Sequence, residues 1–519
     1  MEPKLDIDGS MVDSCHQSAQ RITDDVWRAI AAKTTLSVER TIVRLLGIDG
    51  VDPNGVPIPN ILVGHVQDRG GLASGIAYHL GNAMVQTGRS PQDIAKLVSA
   101  RELDLVALPR GAPDELRRAV RDEAARTMQE LRRRRAERTQ WRASLDEQPT
   151  PHAYVLTATG NVYEDVAHAR AVADAGGDIV AMIRSTAQSL LDYVPYGPTT
   201  EGHGGTFATQ ENFRIMREAM DDWSRANGRY VRLSSFCSGL CMPEIAAMGA
   251  IEGLDNMVND ALYGILYRDI NIVRTLIDQS FSRRLNGYFG IVINTGEDNY
   301  LRTADAVTAA PSVVASQFIN YHLARRSGVP DDQIGLGNAF EIHPTVTNGL
   351  LYEWAQAQLT RELFPNCPVK FMPPTKHMDG DLFRTQAVDT LFNLLAVATE
   401  QRIQTIGVPT EGLFTPHIHD RVIGMANVRY VANTARELAG EIRFRPGGII
   451  QRRAVEVLAD AESLLAEIAA GGLFAALQAG TFGNVSRRLT DGRGAEGMVD
   501  IDDQYFNPYL ELMEESLDA

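Results

Sequence analysis

From about residue 150 to 375, apolar segments of strand length alternate with helix-length stretches, and each apolar segment breaks off at a cluster of polar groups. Asp178-Ile-Val-Ala-Met-Ile183 gives way to Arg184, Ser185, Thr186, Gln188, Ser189 and Tyr193. Tyr230-Val-Arg-Leu233 gives way to Ser234, Ser235, Cys237 and Ser238. The stretch from Gly287 to Ile293 ends at Asn294, Thr295, Glu297 and Asp298, and Val369-Lys-Phe-Met372 ends at Pro373, Pro374, Thr375 and Lys376. Parallel strands that carry their chemistry at their C-terminal ends, with helices between them, build a (β/α) barrel whose polar groups converge on one mouth. Strands are expected near 153–158, 178–183, 230–234, 261–267, 288–293, 334–341, 368–372 and 403–408. Helices are expected at 164–175, 209–226, 243–253, 270–283, 302–327, 349–363 and 381–400. This alternation predicts an α/β fold of the (β/α)8, TIM-barrel type rather than an open sheet.

The barrel is expected to span 151–445, after the linker Pro149-Thr-Pro151. Residues 1–150 read as an N-terminal helical region. Thr35 or Ser37 stands at a helix start in the manner of a capping box, and Ser90-Pro91 supplies a cap followed by proline at the first helical position. An Arg-rich helix is expected over 113–145, its basic run read as a solvated face with Glu130 and Glu137 as internal partners. Residues 446–519 read as a C-terminal helical extension with one good helix, about 450–471, stopped at Gly471-Gly472.

Bulk properties exclude several function classes. The net charge of -16 argues against nucleic acid, whose phosphates want a basic face. The sequence holds no apolar run of about 18 residues, so no membrane span is expected. The first residues lack a basic segment followed by an apolar one, so no secretory signal is expected. Four cysteines (Cys15, Cys237, Cys241, Cys367) do not make a disulfide framework, and a cytoplasmic location follows. Lysine is scarce: Lys4, Lys33, Lys96, Lys370 and Lys376 stand against 45 arginines. Any Schiff-base lysine within the chain is one of these five.

Among the mouth groups, Arg184 and Arg268 each follow an apolar segment, and a guanidinium fork suits phosphate or carboxylate. Ser189, Ser238 and the backbone of Gly204-Gly205-Thr206 offer neutral donors to the same anion. Tyr263, read as inward-facing on a strand, suits stacking on a flat heterocycle. Asp298, with Lys370 or Lys376, sets opposite charges on different loops, as a zwitterionic amino acid requires. Taken singly, each of these is as readily a structural group or a surface ion pair.

Other signals fail. Cys237-Ser-Gly-Leu-Cys241 lacks the third cysteine of a radical S-adenosylmethionine cluster, because Glu244 stands there. His417-Ile-His419-Asp420 lacks further metal ligands nearby, and Gly335-Leu-Gly337 is followed by Phe340 where a dinucleotide fingerprint wants a small residue. No Asp-x-His-x-x-Gly segment, the signature of a cobalamin-ligating histidine, occurs.

Longer strings carry a resemblance. Gln188-Ser-Leu-Leu-Asp-Tyr-Val-Pro-Tyr-Gly197, Thr199-Thr-Glu-Gly-His-Gly-Gly-Thr206, Cys237-Ser-Gly-Leu-Cys-Met-Pro-Glu-Ile-Ala-Ala-Met-Gly249, Ile293-Asn-Thr-Gly-Glu-Asp-Asn-Tyr300 and Phe371-Met-Pro-Pro-Thr-Lys376 are similar to the family of lysine 5,6-aminomutase alpha subunits, the D-lysine and β-lysine mutases. The resemblance runs over nearly the whole chain. It implies a barrel that cradles pyridoxal phosphate and substrate, working with adenosylcobalamin. A smaller β subunit would bring the cobalt-ligating histidine and the lysine that holds pyridoxal phosphate, in an α2β2 heterotetramer. The implied reaction is radical migration of the terminal amine of D-lysine or L-β-lysine from carbon 6 to carbon 5. By the family pattern, Arg184, Gln188, Ser189, Tyr193 and Ser238 bind the cofactor. Tyr263 stacks on its ring with Arg268 beside it, both also catalytic, and Asp298 and Lys370 take the substrate's ammonium and carboxylate. The alternatives are an ornithine-type aminomutase component, a non-catalytic barrel scaffold for a partner enzyme, and a pyridoxal phosphate enzyme working alone through Lys370 or Lys376.

Overall fold

The computed structural model describes residues 2–146, 148–182, 185–378, 380–411 and 416–518, apart from the side chains of 517 and 518. Its centre is a parallel sheet of β1 (His152–Thr157), β2 (Ile179–Met182), β3 (Arg232–Phe236), β4 (Asn256–Val258), β5 (Val292–Asn294), β6 (Ile334–Gly335), β7 (Gly337–Ala339), β8 (Lys370–Met372) and β9 (Ile403–Thr405). The hydrogen-bonded order is β6-β5-β4-β3-β2-β1-β9-β8-β7. The two ends of that order, β6 and β7, are separated only by Leu336 and form one interrupted strand. The sheet is therefore closed, with eight strand positions, as a (β/α)8 barrel requires.

Alternation sorts the strand residues. Tyr154, Leu156, Ile179, Ala181, Val292 and Ile403 form an inner apolar cluster. Their neighbours Val155, Val180 and Ile293 join the large outer core under the helices. That outer core is continuous from Leu5 through Val120 and Leu465 to Met513, so the helices before and after the barrel pack on its outside. The ends of the chain also meet directly, Lys33–Thr35 pairing antiparallel with Met498–Asp500.

Several expectations need correction. No strand occupies 261–267. Ala261–Arg268 is a helix, and the strand of that unit is β4, five residues earlier. The carboxylate of Asp260 caps the helix by accepting from the Tyr263 amide at 3.0 Å, and its buried positions, Ala261, Gly264, Ile265 and Leu266, recur at helical spacing. At the N-terminus the cap of helix Leu36–Leu45 is Thr35, whose Oγ1 accepts from the Val38 amide at 3.1 Å. Ser37 lies inside the helix, and Glu39 turns away from the cap to accept from the Ile76 amide at 2.7 Å. The tail carries more than one helix: after Ile449–Gly471 come Leu473–Ala479 and Pro508–Asp518. The last packs on the long helix Pro113–Ala143 and buries Tyr509 and Met513.

The arginine run on Pro113–Ala143 divides by face. Arg133 is exposed and paired with Glu130 and Glu137 along the helix, as expected. Arg135 and Arg138 turn inward: Arg135 donates to the carbonyl of Leu254 at 3.2 Å and to that of Gly290, and Arg138 holds both carboxylate oxygens of Asp221 at 2.9 Å. Leu254 and Gly290 precede β4 and β5, so this helix straps the end of the barrel opposite the mouth. Among the described residues no helix is long and apolar enough to cross a membrane.

Candidate functional site

The loops after β2, β3 and β4 close on one another. The short helix Thr186–Leu190 follows β2, and the amide of Leu240, in the loop after β3, donates to the Ser189 carbonyl at 3.1 Å. Gly239 has φ +112°, and a Cβ there would lie 2.7 Å from Ser189 Cα and 2.8 Å from its carbonyl oxygen. Only glycine permits this approach. A Gly239→Ala variant is expected to push the Ser189 and Ser238 loops apart and to lower the melting temperature by a few degrees. An unchanged melting temperature would show that the contact is dispensable.

Helix Ala261–Arg268 packs on the 186–190 turn, which brings Gln188, Ser189, Ser238, Tyr263 and Arg268 to one side of the mouth. Ser189 and Ser238 are buried. The Ser189 hydroxyl donates to the Thr186 carbonyl at 2.6 Å. The Gln188 amide brackets Ala208, donating to its carbonyl at 2.9 Å and accepting from its N–H at 2.7 Å, so it braces the loop. Arg268 lies over the Tyr263 ring, 4.9 Å from its centroid, and also donates to the Tyr263 hydroxyl. Tyr263 keeps company with Arg268 because both lie on one helix rather than, as expected, on a strand and the loop that follows it. Tyr193 is exposed on the rim. Arg184 lies outside the described residues. The Ser185 hydroxyl donates to the His203 carbonyl at 2.8 Å, which ties the 199–206 loop to the same side.

The other side of the mouth is charged. Lys370, on β8, is buried with its ammonium 4.8 Å above the Tyr154 ring. Asp298 sits in the turn Glu297–Arg302 after β5, close against the backbone of Gly337. Burial lowers the pKa of Lys370, and the charges of Asp298 and Asp260 hold it up. Burial raises that of Asp298, and Lys370 holds it down. The two charges therefore feel each other, yet among the described residues they form no ion pair. Lys376 is committed elsewhere, donating to the carbonyls of Leu301 at 2.8 Å and Ala304 at 3.1 Å.

Two further carboxyls lie here, Glu297, which the sequence places in the mouth cluster without a role, and Asp260, which it does not single out. Asp260 is pushed up to about 8, chiefly by burial, with Asp298 and Glu297 adding to it. Glu297 is pushed up to about 7 by burial, although it accepts from Thr295 at 2.7 Å and from the Gly337 amide at 2.6 Å. Asp260 was hidden because the strand was placed after it; a cap residue ahead of Ala261 was the available signal. Unfolded, these carboxyls ionise near about pH 4. The folded chain therefore holds more protons than the unfolded chain up to their folded values, and stability falls as pH rises through that window. The lowered histidines His152, at about 3, and His322, at about 4, have made most of their contribution by pH 6.5, the unfolded value of a histidine. The melting temperature is expected to fall by a few degrees from pH 6.5 to 8.5, as calorimetry would record; a rise would contradict this assignment of the buried protons.

Two signals set aside in the sequence have structural roles. Glu244 is fully buried between Arg40 and Arg44, at 2.7 and 2.9 Å. His417 begins helix Ile418–Thr434, where the Asp420 carboxylate accepts its amide at 2.9 Å. Among the described residues no group of three or more His, Cys, Asp or Glu is arranged to hold a metal.

Residues 5–512 match the family model described as the D-lysine 5,6-aminomutase TIM-barrel domain of the alpha subunit. The chain is 50% identical over 513 residues to the lysine 5,6-aminomutase alpha subunit of Acetoanaerobium sticklandii, covering 99% of each. It is 49% identical over 511 residues to that of Fusobacterium nucleatum, covering 98% of this chain and 99% of the relative. The D-ornithine 4,5-aminomutase subunit beta of A. sticklandii is 27% identical over 387 residues, 70% of this chain and 51% of that protein.

Proposed function

The chain belongs to the family of lysine 5,6-aminomutase alpha subunits, which are isomerases, and from that premise we propose that it binds pyridoxal phosphate and a lysine substrate in an adenosylcobalamin-dependent aminomutase. The reaction moves the terminal amino group of D-lysine or L-β-lysine from carbon 6 to carbon 5. The observation that carries this reading is the half-buried Asp298 with the buried Lys370, opposite charges at one mouth without a mutual ion pair. A zwitterion entering between them gives each a partner, its ammonium at Asp298 and its carboxylate at Lys370.

The residues present fit the cofactor. Buried hydroxyls at Ser189 and Ser238 with the Arg268 guanidinium suit a phosphate and a ring's polar substituents, and Tyr263 offers a face for stacking. Buried side-chain atoms of Asn294, Asn338 and Glu297 lack protein partners, as the wall of a polar ligand's pocket does. Gln188 holds the 186–190 turn, and Tyr193 and Arg184 are assigned to the cofactor side. The chemistry supplied by the bound groups is a radical source, from adenosylcobalamin, and a conjugated ring that spreads unpaired spin, from pyridoxal phosphate. The chain's own part is to place the substrate, neutralise its two charges and exclude water.

A partner subunit completes the site in this reading. The sequence has no cobalamin-ligating segment, and Lys376 is occupied by backbone carbonyls. The tail covers one arc of the mouth, Arg487 donating to the Ile265 carbonyl at 3.0 Å and Thr303 to that of Gly483. The arc formed by the adjacent β2, β1, β9 and β8 units instead exposes Tyr163, Tyr193, Tyr196, Phe383, Ile418 and Ile423. Apolar groups collected at one rim mark a protein interface. This supports docking of the β subunit there, in an α2β2 assembly. The four buried free cysteines support a cytoplasmic location.

The test is to mix the chain anaerobically with the small subunit, pyridoxal phosphate, adenosylcobalamin and D-lysine, and to assay 2,5-diaminohexanoate. Product only in the mixture is expected, and Phe383→Asp, at a side chain 92% exposed, is expected to weaken assembly without unfolding the barrel. Product from this chain alone would move the imine lysine to Lys370 or Lys376. No product from D-lysine or β-lysine would overturn the reading.

A further inference from the structure

The cofactor side of the site rests on helix Ala261–Arg268 and the substrate side on the turn Glu297–Arg302, two elements from adjacent barrel units. We propose that Asp260, Asn299 and Tyr267 form a clasp that fixes the span between these two elements, and that they are positioning residues selecting the length of the substrate. The clasp rests on the function proposed above. Asp260 is 1% exposed, and its two oxygens are divided between the elements: one accepts from the Tyr263 amide at 3.0 Å, the other from Asn299 Nδ2 at 2.5 Å. The far end of the same helix is tied to the same residue, the Tyr267 hydroxyl donating to the Asn299 carbonyl at 2.8 Å. Asn299 is thus held from both ends of the helix, and Asp298, its neighbour, can shift relative to Tyr263 and Arg268 only if the clasp opens. Arg302 fixes the orientation of the Asn299 amide by donating to Oδ1 at 2.9 Å.

The packing leaves no slack. Gly296 opens the turn with φ +81°, and a Cβ there would lie 2.3 Å from the Asp260 carboxyl carbon. The helix also touches the loop beneath it in ordinary van der Waals contact, since a Cβ on Gly264 would lie 3.9 Å from the Gly239 amide. A reaction that moves a group between adjacent carbons needs the substrate's anchored end and its reacting end at a set separation, and errors of about 1 Å cost on the order of 100-fold in rate. The clasp sets that separation without touching substrate.

Asp260→Asn tests this in the assembled enzyme at pH 9, above the value of about 8 to which burial pushes Asp260, so that both of its oxygens accept in the unmodified chain. The new amide still accepts from the Tyr263 N–H, so the helix cap survives, but it presents a donor to the Asn299 donor. The Arg302 bond opposes the amide flip that would repair the contact. The double variant Asp260→Asn with Asn299→Asp reverses the pair and restores a donor facing an acceptor. The ratio of kcat/KM for D-lysine to that for its homologue one methylene shorter is expected to fall about 10-fold or more in Asp260→Asn. Deuterium uptake over 297–302 is expected to rise, and both are expected to recover in the double variant, with the melting temperature moving little. An unchanged ratio in an active Asp260→Asn enzyme, or a double variant that recovers neither, would overturn the clasp. If Asp260→Asn does not fold, Asn299→Ala gives the same reading from the turn side. If the unmodified complex turns over no lysine, the function itself fails, while deuterium uptake still decides the clasp.

Discussion

Replacing Asp298 by alanine is expected to lower kcat/KM for D-lysine by about 100- to 1000-fold, because a bound lysine would cover the half-buried Asp298, and truncating one partner of a charge pair so desolvated costs on the order of 2–5 kcal/mol. The cost has two parts. The substrate ammonium loses its counter-charge, and Lys370 loses the charge that opposes its desolvation. Lys370 already sits below its ordinary value through burial, so without Asp298 it gives up its proton more readily. The deficit is therefore expected to widen as pH rises, when a neutral amine no longer holds the substrate carboxylate. Asp298→Asn, which keeps the shape, separates charge from packing. Pyridoxal phosphate binding should persist in both variants, since its assigned contacts lie across the mouth. Normal lysine affinity in Asp298→Ala would remove Asp298 from the substrate site.

The second large effect is expected on stability. Glu244, 0% exposed, holds Arg40 and Arg44, and Arg40 in turn reaches Asp192 at 2.5 Å. Asp192 also receives two bonds from the fully buried Arg274, at 2.7 and 2.8 Å, and those arginines hold its carboxyl down at about 2 against the effect of burial. Glu244→Ala leaves two guanidiniums buried beside a cavity. Removing one member of such a network costs about 3–5 kcal/mol. Asp192 follows the 186–190 turn, so the damage should reach the cofactor loop, with weaker pyridoxal phosphate binding alongside a lower urea midpoint. A midpoint within error of the unmodified chain would show that these charges contribute nothing net. Replacing all three by apolar residues of similar volume is the informative control, because buried ion pairs often stabilise less than good packing does.

The short-range features of this molecule were legible in the sequence. Apolar runs ending in polar clusters gave the barrel and the face that carries its chemistry. Thr35 and Ser90 act as caps within three residues of the groups they satisfy. The mouth positions of Gln188, Ser189, Ser238, Asp298 and Lys370 follow from lying at or after a strand, which is a statement about neighbours in the chain. The exception is instructive: Ala261–Arg268 reads as an apolar strand, and the Asp260 cap together with burial at helical spacing makes it a helix.

What only the tertiary structure decided depends on pairs far apart in sequence. Glu244 meets Arg40 across 204 residues, and Arg274 meets Asp192 across 82. Nothing in the local pattern of either partner names the other. The Asp260–Asn299 bond spans 39 residues and joins two barrel units whose sequences, read separately, do not name each other. The closure of the barrel through a strand broken at Leu336 is of the same kind, since it needs both halves in place at once. Periodicity and capping act over a few residues, so the sequence carries them openly. Burial of charge acts through whichever side chains the closed barrel brings together, and that is settled only when the chain has folded.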